Sequence, residues 1–591
     1  MTHAINFGSA AKAGAAPARR APGKLRLAVL GDFSGRANRG LLDKGEALAR
    51  RKPIKLDVDN IEDVLARFAP VLTLPLGAGG TIEFQPKSID DLHPDALYEN
   101  LEIFAELNSL RRRLSSTKTF KAAADEVMSW GGAAEQVAAT SRRSRGNALR
   151  IDAKLSDFAR LVGAPTVSQA TPSAVDELLQ RVVGPYVVEG DDPDQAALVA
   201  IVDRALGAAM SEVLHHPDFQ SLEAAWRSLD FLVRRIETSV SLQLVIFDVS
   251  AEEFAADLSA VESIDDSGLY KLLVEAPALD ADQGSFSAII ANYTFEMTPP
   301  HAELLGRAAH LAAQAQAPFI AAIGTDCIAT RLEDLHPRVV EAWDALRALP
   351  QAGFLALATP RFLLRAPYGE KSDSISSFDY EEFGRHAGLK ALLWGNPSII
   401  AAVLLAATFQ AQGAKMKLGS VLGLDDMAYF FYEDEDGEQV AFPCTERMLT
   451  EKRASHVTGQ NLMALLALKG RPEVRLAGFG SVAGGTLLGQ WAAPDKLVMP
   501  AAGAAPAPVA VVHQTAPIEA ARDEAFEAQV TDLEAAAASA PVAVEAEATE
   551  EESIDPELDA LLAELEASAT PEPAAEDEID PELAALLAEL E

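Results

Sequence analysis

A chain of 591 residues is long enough for more than one domain and for large apolar cores. Its formal net charge of −38 argues against non-specific nucleic-acid binding, which needs clustered Lys and Arg to displace counterions. Two cysteines, Cys327 and Cys444, are too few for a disulfide framework; they fit a reducing compartment and stand in apolar surroundings as small buried hydrophobes. The charge is uneven. From Glu519 onward about 24 acidic residues face one basic residue, Arg522, which leaves about −15 for the body.

Residues 1–23, rich in Ala, Pro, Gly and Arg, have the composition of a disordered arm and carry no apolar stretch of the signal-peptide kind. An apolar strand begins at Leu25–Leu30, and Gly31-Asp32-Phe33-Ser34-Gly35 turns it. A second strand is expected over Ile54–Val58. Asn60 then stands where it can cap a helix with Ile61, Val64, Leu65 and Phe68 on one face. Thr81–Phe84 reads as a further strand, and His93-Pro94-Asp95 opens a long helix with Leu97, Leu101, Phe104, Leu107 and Leu110 on one side. Residues 24–130 thus read as an α+β module whose strand Leu25–Leu30 is an edge left unpaired within its own module.

Residues 131–193 form a connecting region. Near its end, Val175, Leu178, Leu179 and Val182 give the stretch 173–183 a one-sided apolar face suited to a partner's groove. His216-Pro217-Asp218 then starts a helix, with Asp218 and Glu223 toward the positive end of its dipole and Phe219, Leu222, Trp226 and Leu229 in one stripe. Strands are expected at Leu242–Val249, Phe286–Tyr293 and Ala317–Ala322, alternating with helices, so residues 194–491 predict a mixed α/β module with a parallel or mixed sheet. The longest apolar run, Ile399–Phe409, falls short of the ~20 residues a membrane helix needs, and a soluble, cytoplasmic chain is expected.

Residues 492–591 turn to Ala, Pro, Val and acid, the composition of a disordered tail. One internal repeat stands out: 554–566 returns as 579–591, with Leu558, Leu561, Leu562 and Leu565 on one helical face and Leu583, Leu586, Leu587 and Leu590 on the other copy's. Thirteen-residue helices are marginal alone in water, so these faces are expected to order on a partner, two copies on one tether raising its effective concentration.

The words of both modules resemble the contractile sheath of the bacterial type VI secretion system. "LGDFSGR", "RKPIKLDVDN" and "FQPKSIDDLHPDALYENL" look like the small sheath subunit, in the family's order. "LHHPDFQSLEAAWRSLDFLV", "SAIIANYTFEM", "ATPRFLLRAPYGEKSDSISSFDYEE" and "LLWGNPSIIAAVLLAATF" look like the large one. The resemblance implies a natural fusion of two sheath-subunit-like modules, homo-oligomeric, self-associating by strand exchange around an inner tube protein and meeting baseplate or other apparatus components. It also implies that helix 173–183 is a recognition element for a AAA+ unfoldase that recycles sheath. The family's large subunits continue past the segment matching Val474–Val482 with a further strand-supplying domain, where this sequence runs into acid. A non-polymerising adaptor that recruits a partner through its C-terminal repeats is the competing expectation.

No enzyme is expected. Asp90-Asp91 with His93, and His215-His216 with Asp218, sit at His-Pro helix starts where capping accounts for the residue types, and no further ligand is spaced for metal. The glycine-rich 478–485 lacks the Walker lysine and dinucleotide spacing, and Gly31–Gly35 does not match a nucleophile elbow. Arg361, Arg365 and Lys371 fit either an acidic partner surface or structural ion pairs. No cofactor is called for.

Overall fold

The structure, a computed structural model, describes residues 6–8, 23–76, 80–128, 183, 195–280, 282–330, 334–370, 372–383, 388–433, 439–468 and 470–492. These residues fall in one compact unit. In chain order the strands are β1 (Leu25–Gly31), β2 (Ile54–Leu56), β3 (Leu72–Leu76), β4 (Gly80–Phe84), β5 (Leu242–Asp248), β6 (Ala288–Phe295), β7 (Phe319–Ile323) and β8 (Leu355–Thr359). They continue with β9 (Phe362–Leu363), β10 (Trp394–Gly395), β11 (Gly423–Leu424), β12 (Phe430–Glu433), β13 (Gln439–Phe442), β14 (Met463–Ala467) and β15 (Val474–Leu476). Nine of them make one mixed sheet in the order β11-β15-β14-β8-β7-β6-β1-β5-β2.

That order corrects an expectation. β1 is no edge. It runs parallel to β5 on one side, from Leu25 opposite Leu242 to Gly31 opposite Asp248, and parallel to β6 on the other, Leu27–Leu30 facing Ala288–Ala291. β2 likewise leaves its own sequence neighbours and pairs antiparallel with β5. Strands β1 and β2 of the sequence module 24–130 therefore fill the middle and one border of the sheet built by residues 194–491. Among its described residues, the strands that pair within the first module are those of the ribbon β3–β4.

Side-chain alternation places two cores on the two faces of this sheet. Leu25, Leu27 and Val29 join Leu244, Ile246 and Ile290 in one core, while Ala28 and Leu30 join Val245, Phe247 and Ile289 in the other. The first core is covered by α1 (Ile61–Phe68), α2 (Pro94–Asn100), α3 (Glu102–Ser115), α4 (Gln195–Leu214), α5 (Pro217–Arg235) and α9 (Pro397–Gln412). The second is covered by α6 (Ala251–Ser259), α7 (Pro299–Ala315), α8 (Pro337–Ala348) and α10 (Glu451–Gly459). Among the described residues one helical stretch, Pro397–Lys415, is long and apolar enough to cross a membrane; it is mostly buried here, and its apolar side chains fill the first core.

Smaller expectations also shift. The long helix from His93 breaks at Leu101, whose extended backbone turns the chain so that α3 packs along α4. Asn60 does not cap α1; its Oδ1 accepts from the Asp57 N–H at 3.0 Å and so closes the turn between β2 and α1. The expected arm is tied down at Asn6–Gly8, which rests on α7.

Candidate functional site

The place where the two sequence modules meet is densely hydrogen-bonded. The turn after β1 reaches the end of β5, and there Asp248 gathers it: its carboxylate accepts from Phe33 N (2.8 Å), Ser34 N (3.2 Å) and Ser34 Oγ (2.7 Å). Burial pushes the Asp248 carboxyl up, a tendency partly offset by those donors. From the helical side, the indole N–H of Trp226 donates to the Phe33 carbonyl at 2.9 Å, and the Phe33 and Phe68 rings each lie 6.0 Å from the Trp226 ring, edge-on. The GDFSG turn is thus clamped between β5 and α5.

Further along, Glu253 in the first turn of α6 is fully buried. It closes a capping box with Ser250 and also accepts from Arg36 Nε (3.0 Å), from Asp43 N (2.9 Å) and from both ends of the Arg51 guanidinium. Burial alone would push this carboxyl up, but the donors from Arg51 and Arg36 outweigh it and hold it down to about 2. Asp257, one turn on, accepts from Gly45 N (2.6 Å), Gly268 N (3.1 Å) and Leu269 N (2.9 Å). Gly268 is required at this crossing, since a Cβ there would lie 2.3 Å from the Gly45 carbonyl oxygen. Asn38 Nδ2 donates to Asp218 (2.8 Å), and Asp95 accepts from the Ser376 and Ser377 N–H groups, so acids of each module accept from the other.

A second cluster sits beneath α5. Arg365 is buried between two carboxylates, with Nε 2.8 Å from Glu223, Nη1 2.6 Å from Glu382, and its guanidinium 3.9 Å above the Tyr368 ring. Arg227 completes the set through Glu223 (2.7 Å) and the Tyr368 hydroxyl (2.8 Å). Burial would raise Glu382, yet Arg365 holds it down to about 2. Glu223, which the sequence places near a helix dipole, serves this ion cluster instead. Arg361 is likewise a structural partner, paired twice to Glu446 at 2.9 and 2.8 Å, and Lys371 lies outside the described residues.

The histidines do what their His-Pro positions require. Nδ1 of His93 accepts from Asp95 N, and Nδ1 of His216 accepts from Asp218 N. Among the described residues no group of three or more His, Cys, Asp or Glu gathers as a metal site. Both cysteines are buried, and burial pushes the Cys327 thiol up to about 12. The glycine-rich 478–485 is a tight turn fastened to β8 through Val482 N and the Leu355 carbonyl. Val175, Leu178, Leu179 and Val182, and the repeat leucines 558, 561, 562, 565, 583, 586, 587 and 590, lie outside the described residues.

The sequence does not announce Asp248, Glu253 or Asp257 as joint residues. The Ser250-x-x-Glu253 spacing signals a helix start, but nothing local points to Arg36 or Arg51 some 200 positions away.

Comparison with known families decides what this joint belongs to. Residues 20–128 match the family model described as "Type VI secretion system, VipA, VC_A0107 or Hcp2", and residues 196–483 match "EvpB/VC_A0108, tail sheath N-terminal domain". The chain belongs to the type VI secretion sheath family, as a fusion of small- and large-subunit-like modules. The fusion is also 30% identical over 292 residues to the type VI secretion system sheath protein TssC1 of Pseudomonas aeruginosa, a match covering 46% of this chain. It spans 58% of that relative's length.

The buried carboxylates of the joint and of the second cluster are expected to make the fusion acid-sensitive. Glu253 and Glu382 both have folded pKa values depressed from 4.5 to about 2. Their contribution to stability is complete above about pH 4.5 and is lost as pH falls toward 2. Denaturant midpoints followed by tryptophan fluorescence are expected to be flat from pH 7 to about 5 and to drop steeply below 4.5, and Glu253→Gln should flatten that drop.

Proposed function

We propose that one chain is a sheath building block, carrying a small- and a large-subunit-like share of one sheet in a fixed one-to-one ratio, and that copies self-associate around an inner tube in the cytoplasm. The observation that carries this is the seat of β1: the first module's strand is hydrogen-bonded on both sides by β5 and β6 of the second. Strand exchange between copies cannot use β1, whose two edges are filled. Of the sheet's two borders among the described residues, β2 carries Lys55 and is preceded by Lys52 and Pro53, features that discourage strand addition. The other border, β11, is short as well, at two residues, but it carries no Lys or Pro, and we assign its outer edge to a neighbouring strand.

On this reading helix 173–183 is offered to a AAA+ unfoldase, and the C-terminal repeats recruit a baseplate or other apparatus component. The test is negative-stain electron microscopy of the purified chain, alone and with the tube protein of the same system. Tubes or rings are expected, and deleting residues 551–591 should leave their growth unchanged. Discrete small particles under both conditions would overturn the assembly and leave the adaptor role, with the repeats as its working end.

A further inference from the structure

Helix α7 carries a notch at Gly306. The three atoms nearest to a Cβ built there all belong to the Phe7 ring, at 2.1, 2.8 and 2.9 Å, so the ring occupies the volume that any other residue's side chain would fill. Phe7 is half-buried and packs onto the second core. The residues either side of it are fitted to the same place. Asn6 N donates to Glu303 Oε1 (3.2 Å), one turn before the notch, and Gly8 N donates to Asn6 Oδ1 (2.9 Å), closing a turn around the ring. Gly8 adopts φ +73° and passes 3.1 Å (from a built Cβ) above Nη1 of Arg307, which is itself pinned to the Leu258 and Val261 carbonyls at 3.0 and 2.8 Å. A left-handed glycine, an aromatic ring and an asparagine turn thus meet a helical glycine, a carboxylate and a fixed guanidinium.

We propose that the Gly306 notch is a docking site for a short Asn-Phe-Gly peptide and that its occupant is this chain's own residues 6–8. Sixteen residues, 9–24, separate the docked segment from β1, a tether that can span at most about 60 Å and keeps the local concentration of the segment high. Docking fastens the chain ahead of the small-subunit-like module to the large-subunit-like one. It stands independently of whether copies form tubes.

Chymotrypsin cleavage after Phe7, read by mass spectrometry on the full native chain, tests this. Cleavage tracks the fraction of time the segment is undocked. Gly306→Ala is the decisive variant, because alanine favours the helix and its Cβ meets the Phe7 ring first; it should speed cleavage after Phe7 at least tenfold while the thermal midpoint of the chain holds. Glu303→Ala, which removes the Asn6 anchor from the exposed side, should speed it severalfold. Unchanged cleavage in both variants overturns the site. Protection that disappears on dilution from micromolar to nanomolar chain overturns the intrachain occupant and assigns the notch to a second copy.

Discussion

Arg365→Met is expected to cost the folded fusion about 3–5 kcal/mol, the range for breaking a buried ion pair by removing one partner. Arg365 stands between Glu223 and Glu382, both essentially inaccessible to water, and supplies two hydrogen bonds to each. With Arg365 removed, Glu223 keeps Arg227, but Glu382 is left with the Tyr368 N–H and with His215 at 3.7 Å. Its carboxylate is then buried without its main counter-charge, so its folded pKa should rise above the unfolded value instead of lying at about 2. The sign of the pH dependence follows. A raised carboxyl pKa gives stability at low pH that is lost as pH increases, so the deficit of the variant should be smaller at pH 5 than at pH 8.

Two companions make the measurement specific. Glu382→Met in the Arg365→Met background should recover part of the loss, because it removes the stranded charge. Arg361→Met, which breaks a partly exposed pair with Glu446, should cost under about 1 kcal/mol. Equal costs for Arg361 and Arg365 in denaturant titrations would show that burial of the second cluster contributes nothing.

How far the sequence shows this arrangement depends on the range of the interaction. The His93-Pro94 and His216-Pro217 helix starts are local and read directly, as do the buried stripe Phe219, Leu222, Trp226, Leu229 and the strands β5, β6 and β7. Ribbon strand β3 is obscured by Pro75, which weakens a strand pattern without excluding a ribbon edge. The break at Leu101 leaves the apolar spacing intact on both sides, so periodicity carries straight through it.

The seat of β1 is the instructive miss. Leu25, Leu27, Ala28, Val29 and Leu30 form a nearly continuous apolar run, the pattern of a strand buried on both faces, which argues for the middle of a parallel sheet over its edge. Even Arg26 is taken inward, its Nε donating to Gln243 and its guanidinium lying 4.6 Å over the Phe286 ring. What no local pattern carries is the partner: Leu25 pairs with Leu242, across more than 200 residues. For the same reason the acids that clamp the joint, Asp248, Glu253 and Asp257, look like ordinary strand-end and helix-cap residues.

Cutting the chain between the modules should therefore produce two dependent halves, not two domains. Residues 195–591 expressed alone are expected to be insoluble, and residues 1–128 alone to be unfolded. Without β1, both β5 and β6 present unpaired edges at the centre of the sheet, a template for aggregation. The apolar loss points the same way. Leu25, Leu27, Val29 and Leu30 are essentially fully buried, and at about 1.5–3 kcal/mol each they represent roughly 6–12 kcal/mol, comparable to the whole net stability of a typical domain. Expressed together, the halves should co-purify one to one, because the cut removes no hydrogen bond of β1 and leaves Asp248, Glu253 and Asp257 in place. Their complex should unfold in a single transition whose midpoint rises with protein concentration, as reassociation of two chains requires. A soluble 195–591 half that unfolds cooperatively by itself would mean that the large-subunit-like module closes its sheet without β1. Joining the modules would then fix only their ratio, and folding would owe nothing to it.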